Sequence, residues 1–398
     1  MRLLPCGTTL LLLAASACST RPSPRTCQTV LDCAVSDQCT GGLCEALNCS
    51  SGLTPCSGAC VDLAGAGSSC GACGHDCGGG LCSAGVCQPA VLRDGLSYPV
   101  FDVDATTLYF HSGDKVLSCP LAGCGALAPH QIGAITAPIL GGNAGGVLLA
   151  GGGNVVFMAD ALTGTSGPNL QACPIQAGCT TPPLLLKSTA HQGFSGGYAM
   201  DGGDAYWGWY KDVQHSTCDG LGACSAAENL LAAALVMPAP LAADASGVYF
   251  AAPAAPSDLL RCPRSGACTP ETVAASAPAF TALQARSGKV YMLASGRDGY
   301  NDGAIRSCPE GATGCTPALL VGNQSFPLAF TVDGNAVSWL LRDAPAGGAP
   351  MSIVTCPVAG CSGGPRLLAA GQTGAYGLRS DDRFVYWATP TQILRVAK

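Results

Sequence analysis

The sequence predicts an all-β protein, built as a small disulfide-rich module followed by a ring of repeated four-stranded sheets. Three observations support this prediction. From residue 88 onward, a turn followed by apolar and aromatic residues recurs every 42 to 49 residues. Twenty-six cysteines are spread along the chain, many of them in close pairs. Glycine (54 residues) and proline (28 residues) are abundant, which favours frequent turns over long helices.

The composition also limits the compartment and the partners. Only 11% of the 398 residues are charged, and no cluster of Lys and Arg appears, so a nucleic-acid partner is excluded. Free thiols at this density are a hazard in reducing cytosol, so the cysteines predict disulfides in an oxidising space. A zinc protein would use compact groups of four cysteines, usually with histidine, and the chain has five scattered histidines.

The first 26 residues predict export and a lipid anchor. Leu3 to Ala17 is mostly apolar, follows Arg2, and is too short for a permanent membrane span. The following Ala15-Ser16-Ala17-Cys18 resembles the lipobox of bacterial lipoproteins, although leucine is favoured where Ala15 stands. The resemblance implies a signal peptide over 1–17, a lipid on Cys18, a tether over 18–26, and the outer membrane or cell surface as location. The alternative is an ordinary signal peptide cut after Ala17.

Residues 27–87 predict a cysteine-rich disulfide module, because 61 residues with twelve cysteines cannot bury enough apolar surface alone. Within 49–87 the segment resembles the Stig1-like cysteine-rich repeat of secreted bacterial proteins, which implies an extracellular module and no particular activity. "GAGSS" replaces the usual Asp and Asn before the central cysteine, so a shared ligand does not follow. Cys70 and Cys73 have redox-like C-x-x-C spacing, but the strand-then-helix context of such a site is missing. The matching residues are Cys56, Cys60, Val61, Asp62, Leu63, Cys70, Gly71, Cys73, Gly74, Cys77, Cys82 and Cys87.

The repeat in 88–398 predicts a β-propeller, because 40 to 50 residues suffice for one blade of four strands. Seven copies predict seven blades, and "PAVLRDGLSY" (89–98) matches "PRLLAAGQTG" (365–374), so the N-terminal strand should complete the last blade. "VYW" at 385–387 resembles propellers of the YWTD and low-density-lipoprotein-receptor type. That resemblance implies binding by a rigid disc and leaves six blades as the alternative. The residues taken as equivalent are Tyr109, Phe157, Tyr206, Tyr249, Tyr291, Ser338 and Tyr386.

Six cysteine pairs recur in the same register, each around a turn that contains glycine. Each cysteine is closer in sequence to the other cysteine of its pair than to any cysteine of another pair. We therefore predict six local disulfides between the third and fourth strands of blades 1 to 6. The predicted bonds are Cys119–Cys124, Cys173–Cys179, Cys218–Cys224, Cys262–Cys268, Cys308–Cys315 and Cys356–Cys361.

The opposite face of the disc should carry the loops that vary in length, and variable loops on a rigid scaffold often hold function. Blades 2, 5 and 6 have the longest loops there. Ordinary solvated loops are the alternative explanation for these residues. The candidate ligand contacts are Asp160, Tyr210, Lys211, Arg297, Asp298, Tyr300, Asp302, Arg342 and Asp343.

These features predict a surface-anchored binding module for an unknown extracellular protein or glycan, with no cofactor or metal. Gly193 to Gly197 fits G-x-S-x-G but is expected in a loop between blades and not at the strand-to-helix turn of a nucleophile, and "DGYNDG" (298–303) has a tyrosine where a calcium ligand belongs. The alternative is a propeller lyase or glycan hydrolase. Paired carboxylates or a metal centre in the central funnel would favour the enzyme, and a lining of mixed polarity would favour binding.

Overall fold

The computed structural model describes residues 25–122, 124, 127–134, 146–159, 169–179, 184–188, 194–209, 212–221, 223–231, 239–251, 257–277, 279–297, 300–343 and 350–398. The chain divides into two compact units, Met1–Leu63 and Ala64–Lys398. Among the described residues, no helix is long and apolar enough to cross a membrane.

The first unit holds two hairpins and a short 3-10 helix, Val30–Asp32. The hairpins are β1 (Asp37–Thr40) with β2 (Leu43–Ala46), and β3 (Thr54–Cys56) with β4 (Ala59–Val61). Disulfides crosslink this small unit, which has few buried apolar side chains of its own. They are Cys27–Cys39, Cys33–Cys44 and Cys49–Cys60.

The second unit begins with a disulfide-rich segment, residues 64–87, that packs against the last blade. This compact unit therefore starts before residue 88, where the sequence suggested a domain boundary. The segment contains the hairpin β5 (Cys82–Ser83) with β6 (Val86–Cys87), and the disulfides Cys70–Cys82 and Cys77–Cys87. The three buried cysteines Cys70, Cys77 and Cys87 belong to the same apolar cluster as the strands of blade 7.

Seven antiparallel four-stranded sheets follow, so the prediction of an all-β, seven-bladed propeller is confirmed and the six-bladed alternative is wrong. Blade 1 is β8 (Phe101–Val103), β9 (Thr107–Ser112), β10 (Lys115–Pro120) and β11 (His130–Ala134). Blade 2 is β12 (Leu148–Gly151), β13 (Asn154–Ala159), β14 (Asn169–Pro174) and β15 (Leu184–Ser188). Blade 3 is β16 (Phe194–Asp201), β17 (Asp204–Trp209), β18 (Asp212–Thr217) and β19 (Glu228–Asn229). Blade 4 is β20 (Leu241–Asp244), β21 (Gly247–Ala251), β22 (Ser257–Cys262) and β23 (Glu271–Ala277).

Blade 5 is β24 (Ala282–Arg286), β25 (Lys289–Ala294), β26 (Gly303–Pro309) and β27 (Ala318–Gln324). Blade 6 is β28 (Pro327–Val332), β29 (Ala336–Arg342), β30 (Met351–Pro357) and β31 (Arg366–Ala369). Blade 7 is β32 (Tyr376–Ser380), β33 (Phe384–Ala388), β34 (Ile393–Ala397) and, from the other end of the propeller, β7 (Ala90–Arg93). The first strands of neighbouring blades contact one another, so they surround the central axis.

The ring closes through blade 7, as the match between 89–98 and 365–374 predicts. Strand β7 pairs antiparallel with β34, with Val91 opposite Leu394 and Arg93 opposite Ile393. Leu92 between them is buried in the cluster that joins blades 6, 7 and 1. Closure by strands distant in sequence leaves no blade without its outer strand.

The register of blade 2 corrects one sequence equivalence. Cys173 pairs with Val155, as Cys119 pairs with Leu108, so Val156 and not Phe157 corresponds to Tyr109. Phe157 instead corresponds to Phe110 and faces the opposite side of the sheet. The error arose because blade 2 has valine at the position where most blades have an aromatic residue, and the aromatic follows one residue later.

A repeated aspartate explains why the first two strands of a blade turn sharply. In blade 7, Asp381 Oδ1 accepts the backbone N–H of Arg383 and Phe384, both at 2.7 Å, and Oδ2 accepts the Tyr386 hydroxyl at 2.5 Å. Asp104 makes the same set of bonds in blade 1, with Tyr109. Asp244 and Asp333 also accept two turn N–H groups each. The carboxylate thus satisfies turn amides that the sheet leaves unpaired.

Disulfides join all six of the recurring cysteine pairs. The second cysteine lies in the loop before the fourth strand and, in three blades, donates its backbone N–H to the preceding blade. Cys179 donates to Ile132 (3.1 Å), Cys268 to Leu230 (2.7 Å) and Cys315 to Val273 (2.7 Å). The disulfide therefore presents a loop to the neighbouring blade, and the apolar clusters likewise lie between adjacent blades.

Candidate functional site

The central channel is a cavity of about 380 Å³ that the first strands of all seven blades surround. Its described lining is mixed, with backbone edges, small apolar side chains and a few polar side chains. The lining residues are Asp102, Val103, Leu149, Ala150, Tyr198, Ala199, Met200, Leu241, Ala242, Ala243, Leu283, Gln284, Ala285, Arg286, Thr331, Val332, Arg379 and Ser380.

The polar side chains of the channel bind one another and the walls. Asp102 Oδ1 accepts Arg379 Nε at 2.6 Å, which joins blades 1 and 7, and Oδ2 accepts the N–H of Ala150 in blade 2 at 2.9 Å. Gln284 of blade 5 accepts the N–H of Val332 at 2.8 Å and donates to the carbonyl of Phe330 in blade 6 at 3.0 Å. These bonds connect first strands across the blade boundaries.

The opposite part of the wall lacks such side chains. The residues that correspond to Asp102 and Gln284 in blades 2, 3 and 4 are Leu149, Ala199 and Ala242. Arg286 stands at the end of β24 and lines the cavity, and it makes no hydrogen bond or ion pair with the residues that the structure describes. It occupies the position that aspartate holds in five other blades.

The predicted loop residues fall into two groups. Asp160, Tyr210, Lys211 and Asp298 lie outside the described residues, as does Cys18. Arg297, Tyr300 and Asp302 lie together in one loop of blade 5. Arg297 Nε is 2.9 Å from Asp302 Oδ2, and its guanidinium lies 4.3 Å from the centroid of the Tyr300 ring. Hydrogen bonds from Arg297 lower the pKa of the exposed Asp302 carboxyl.

The other two predicted loop residues are in blade 6. The Arg342 guanidinium lies 4.6 Å from the centroid of the Phe326 ring, and Asp343 donates its backbone N–H to Pro350 at 3.1 Å. The described candidates therefore lie in two loops, one of blade 5 and one of blade 6, and a single site made of all nine residues stays a prediction.

One face of the propeller, which we call the turn face, carries the turns between the first and second strands and the loops that the disulfides close. Charged clusters lie on this face at the boundaries between blades. Between blades 3 and 4, Asp204 accepts His215 Nε2 at 3.0 Å and Arg264 Nη2 at 2.6 Å, and Glu228 Oε1 lies 2.8 Å from His215 Nδ1. Partial burial raises the pKa of Asp204, but hydrogen bonds from Thr217, His215 and Arg264 outweigh it and hold the pKa below its ordinary value. Opposite charges therefore join this boundary.

The next boundary brings two acids together. Glu310, in the loop that the Cys308–Cys315 bond closes, lies near Asp244 of blade 4, whose Oδ2 is buried and makes no hydrogen bond with described residues. Burial and then the Asp244 carboxylate raise the pKa of Glu310. Sequence reasoning missed this pair, since the two residues are distant in the chain and belong to different blades.

A second cavity of about 620 Å³ lies on the turn face, where segment 64–87 meets blades 7 and 1. Arg395, nearly buried beneath it, donates Nε to the Gly78 carbonyl at 2.9 Å and Nη1 to the Leu121 carbonyl at 2.7 Å. Asp76 pairs with Arg383 at 3.2 Å. The charged groups that line this cavity therefore already have partners within the protein. Their contacts hold the segment 64–87 against the propeller.

Two groups of cysteines have sulfur atoms close enough to hold a metal: Cys27, Cys33 and Cys44, and Cys70, Cys77 and Cys87. All six are disulfide-bonded, so none offers a thiolate ligand.

Comparison with known proteins shows similarity in fold alone. No protein-family model and no curated protein matches the chain. Among solved structures, the computationally designed Ika8 protein is 14% identical, with a TM-score of 0.47 over 77% of this chain and 98% of that chain. The tricorn protease is 11% identical with a TM-score of 0.48, over 78% of this chain and 35% of that chain. A prolyl endopeptidase is 10% identical with a TM-score of 0.47, over 77% and 50%. The chain thus spans about a third of the one protease and half of the other, and we transfer no activity from them.

The residues that shape the channel were not among the sequence candidates. Asp102, Gln284 and Arg379 occupy the same position in their blades, each opposite the aromatic residue of the second strand, Tyr109, Tyr291 and Tyr386. A comparison of that single position across the seven repeats would have found them.

Proposed function

We propose that this protein is an exported binding protein, anchored to the bacterial membrane by a lipid on Cys18, whose propeller holds a ligand in its central channel without transforming it. The extracytoplasmic location agrees with the 24 disulfide-bonded cysteines of the described chain. The lipid anchor follows from the Ala-Ser-Ala-Cys motif behind the apolar leader. The Stig1-like and YWTD-type resemblances support an extracellular setting for both units.

The channel lining is the observation that carries the binding proposal. Glycan hydrolysis uses two carboxyl groups on either side of the scissile bond, and elimination needs a free base within hydrogen-bond reach. Among the described residues that line the channel, Asp102 is the one acidic residue, and its charge is neutralised by the ion pair with Arg379. Polar groups that bridge the blades keep the channel open and rigid, which suits binding.

The alternative, a propeller lyase or glycan hydrolase, would depend on the neighbouring Asp244 and Glu310 carboxyls, because an acid with a raised pKa, such as Glu310, is common at catalytic centres. Asp244→Asn and Glu310→Gln test it directly. With polysaccharide and peptide mixtures, we expect no product from the wild-type protein or from either variant. A product that only the wild type releases would establish the enzyme instead.

The anchor is tested by mass spectrometry of the N-terminal peptide from membrane-purified protein. We expect an acylated Cys18, and we expect Cys18→Ala to lose partitioning into detergent. A correctly cleaved Cys18→Ala variant that still partitions into detergent would contradict the anchor.

A further inference from the structure

The channel wall in blades 3, 4 and 5 exposes backbone groups that remain unpaired among the described residues. In these blades the first hairpin closes at Asp201 with Asp204, Asp244 with Gly247, and Arg286 with Lys289. The two residues that flank a two-residue turn exchange hydrogen bonds with each other. On the first strand, the residue just before the flanking one then points its N–H and C=O away from the second strand, to the opposite edge. That edge faces the channel. The inward-facing residues, which we call the open arc, are Met200, Leu241, Ala243, Leu283 and Ala285.

The rest of the wall shows that unpaired edges are not the rule in this channel. Gln284 caps the inward N–H of Val332 and the carbonyl of Phe330. Asp102 caps the inward N–H of Ala150 and Val103. The corresponding residues of the preceding blades 2, 3 and 4 are Leu149, Ala199 and Ala242, which have no polar side-chain atom that can do this, so the open arc keeps its donors and acceptors available.

Arg286 adds a cation at the rim of the same arc. In five other blades the corresponding residue is an aspartate, and four of these fold back onto their own turns. Arg286 instead lines the channel without a partner among the described residues. A guanidinium recognises a carboxylate with two parallel hydrogen bonds.

We propose that the open arc and Arg286 bind the main chain of a short peptide, with its C-terminal carboxylate on Arg286. A strand edge alternates donors and acceptors at the spacing that a peptide main chain matches. The ammonium group of the peptide faces the carbonyls of the arc, and its charge offsets the carboxylate beside a rim that is rich in aspartate. The cavity of about 380 Å³ has room for roughly a dozen water molecules, and a dipeptide fits in that volume. This ligand class rests on the binding function proposed above.

Calorimetric titration of the full chain with three matched probes tests the proposal. The probes are the dipeptide Ala-Phe, its C-terminal amide, and its N-acetyl derivative. We expect the wild type to bind Ala-Phe about fivefold more tightly than the amide, the range of a solvent-accessible ion pair. In Arg286→Gln this preference disappears, because the carboxylate loses its partner. Arg297→Gln, which removes an arginine from the opposite face, keeps it.

Two results would overturn the proposal. One is a wild-type protein that does not bind Ala-Phe, and the other is a preference for the carboxylate that persists in Arg286→Gln. Arg286 is exposed, so the variant should melt at the wild-type temperature and report on binding alone. If the lipid-anchored wild-type protein binds a different ligand but does not bind Ala-Phe, this inference is refuted and the proposed binding function still stands.

Discussion

Replacing Asp102 by alanine should destabilise the propeller at the boundary where the ring closes. The side chain of Asp102 is 13% exposed and accepts three hydrogen bonds, from Arg379 Nε, Ala150 N and Val103 N. Asp102→Ala leaves a partly buried guanidinium without its counter-ion, which costs about 2 kcal/mol, and two backbone donors that water in the channel can partly satisfy, which costs about 1 kcal/mol more. We therefore expect a loss of about 3 kcal/mol in the free energy of unfolding.

This loss converts into a measurable shift in melting temperature. At about 2 cal/mol/K per residue, the unit Ala64–Lys398 has an unfolding entropy of about 0.7 kcal/mol/K, so Tm should fall by about 4 °C. Calorimetry of Asp102→Ala, Arg379→Met and the double variant measures it. The double variant should lose less than the sum of the single losses, because each single change breaks the same ion pair.

A matched control uses Asp94, an exposed aspartate in the loop between β7 and β8 that makes no hydrogen bond with the described residues. Asp94→Ala should change Tm by less than 1 °C, since surface substitutions alter stability by about 0.5 kcal/mol or less. Equal shifts for Asp94→Ala and Asp102→Ala, or strictly additive losses at Asp102 and Arg379, would refute the role of this ion pair in closing the ring.

Three further outcomes follow from the contacts between blades. Deleting residues 88–98 should cause aggregation, detected by light scattering, because β34 loses its outer partner; a soluble monomer would contradict the closure. Glu310→Gln should raise Tm at pH 7 and not at pH 3.5. The raised pKa of Glu310 gives stability at pH values below its unfolded pKa, and that stability is lost as pH rises through its folded pKa; an equal effect at both pH values would count against the acid pair. Asp204, whose pKa is lowered, should act in the opposite sense, so Asp204→Asn should cost stability at pH 7 and less as pH falls below 4.

The blades could be predicted because their signals are local. A turn residue, an aromatic strand and a cysteine pair recur within a single repeat, and the fourth strand of the last blade was found by matching 89–98 to 365–374. The one misplaced residue, Phe157, shows the limit of this approach. Local similarity does not fix which of two adjacent apolar residues faces which side of a sheet, and a shift of one residue reverses the face.

The candidate site was harder to predict for a physical reason. Loop length pointed to Arg297 and Arg342, which the structure places in separate loops with their own partners. The channel is made where first strands from distant parts of the chain meet. Its defining features are backbone edges and alanines, such as Ala199 and Ala242, which carry no chemical signature in a sequence. Asp102 and Arg379 are 277 residues apart and become neighbours only through closure of the ring.

The central claim is that the ligand occupies the channel and not the loop face, and residue-resolved hydrogen exchange tests it most directly. The amides of Met200, Ala243 and Ala285 face the channel unpaired, so they should exchange fast in the free protein and become protected with saturating Ala-Phe. Protection at these amides, with exchange in 300–302 and 340–343 unchanged, is the predicted result. Protection confined to 300–302 and 340–343, with the three channel amides unaffected, would contradict the account.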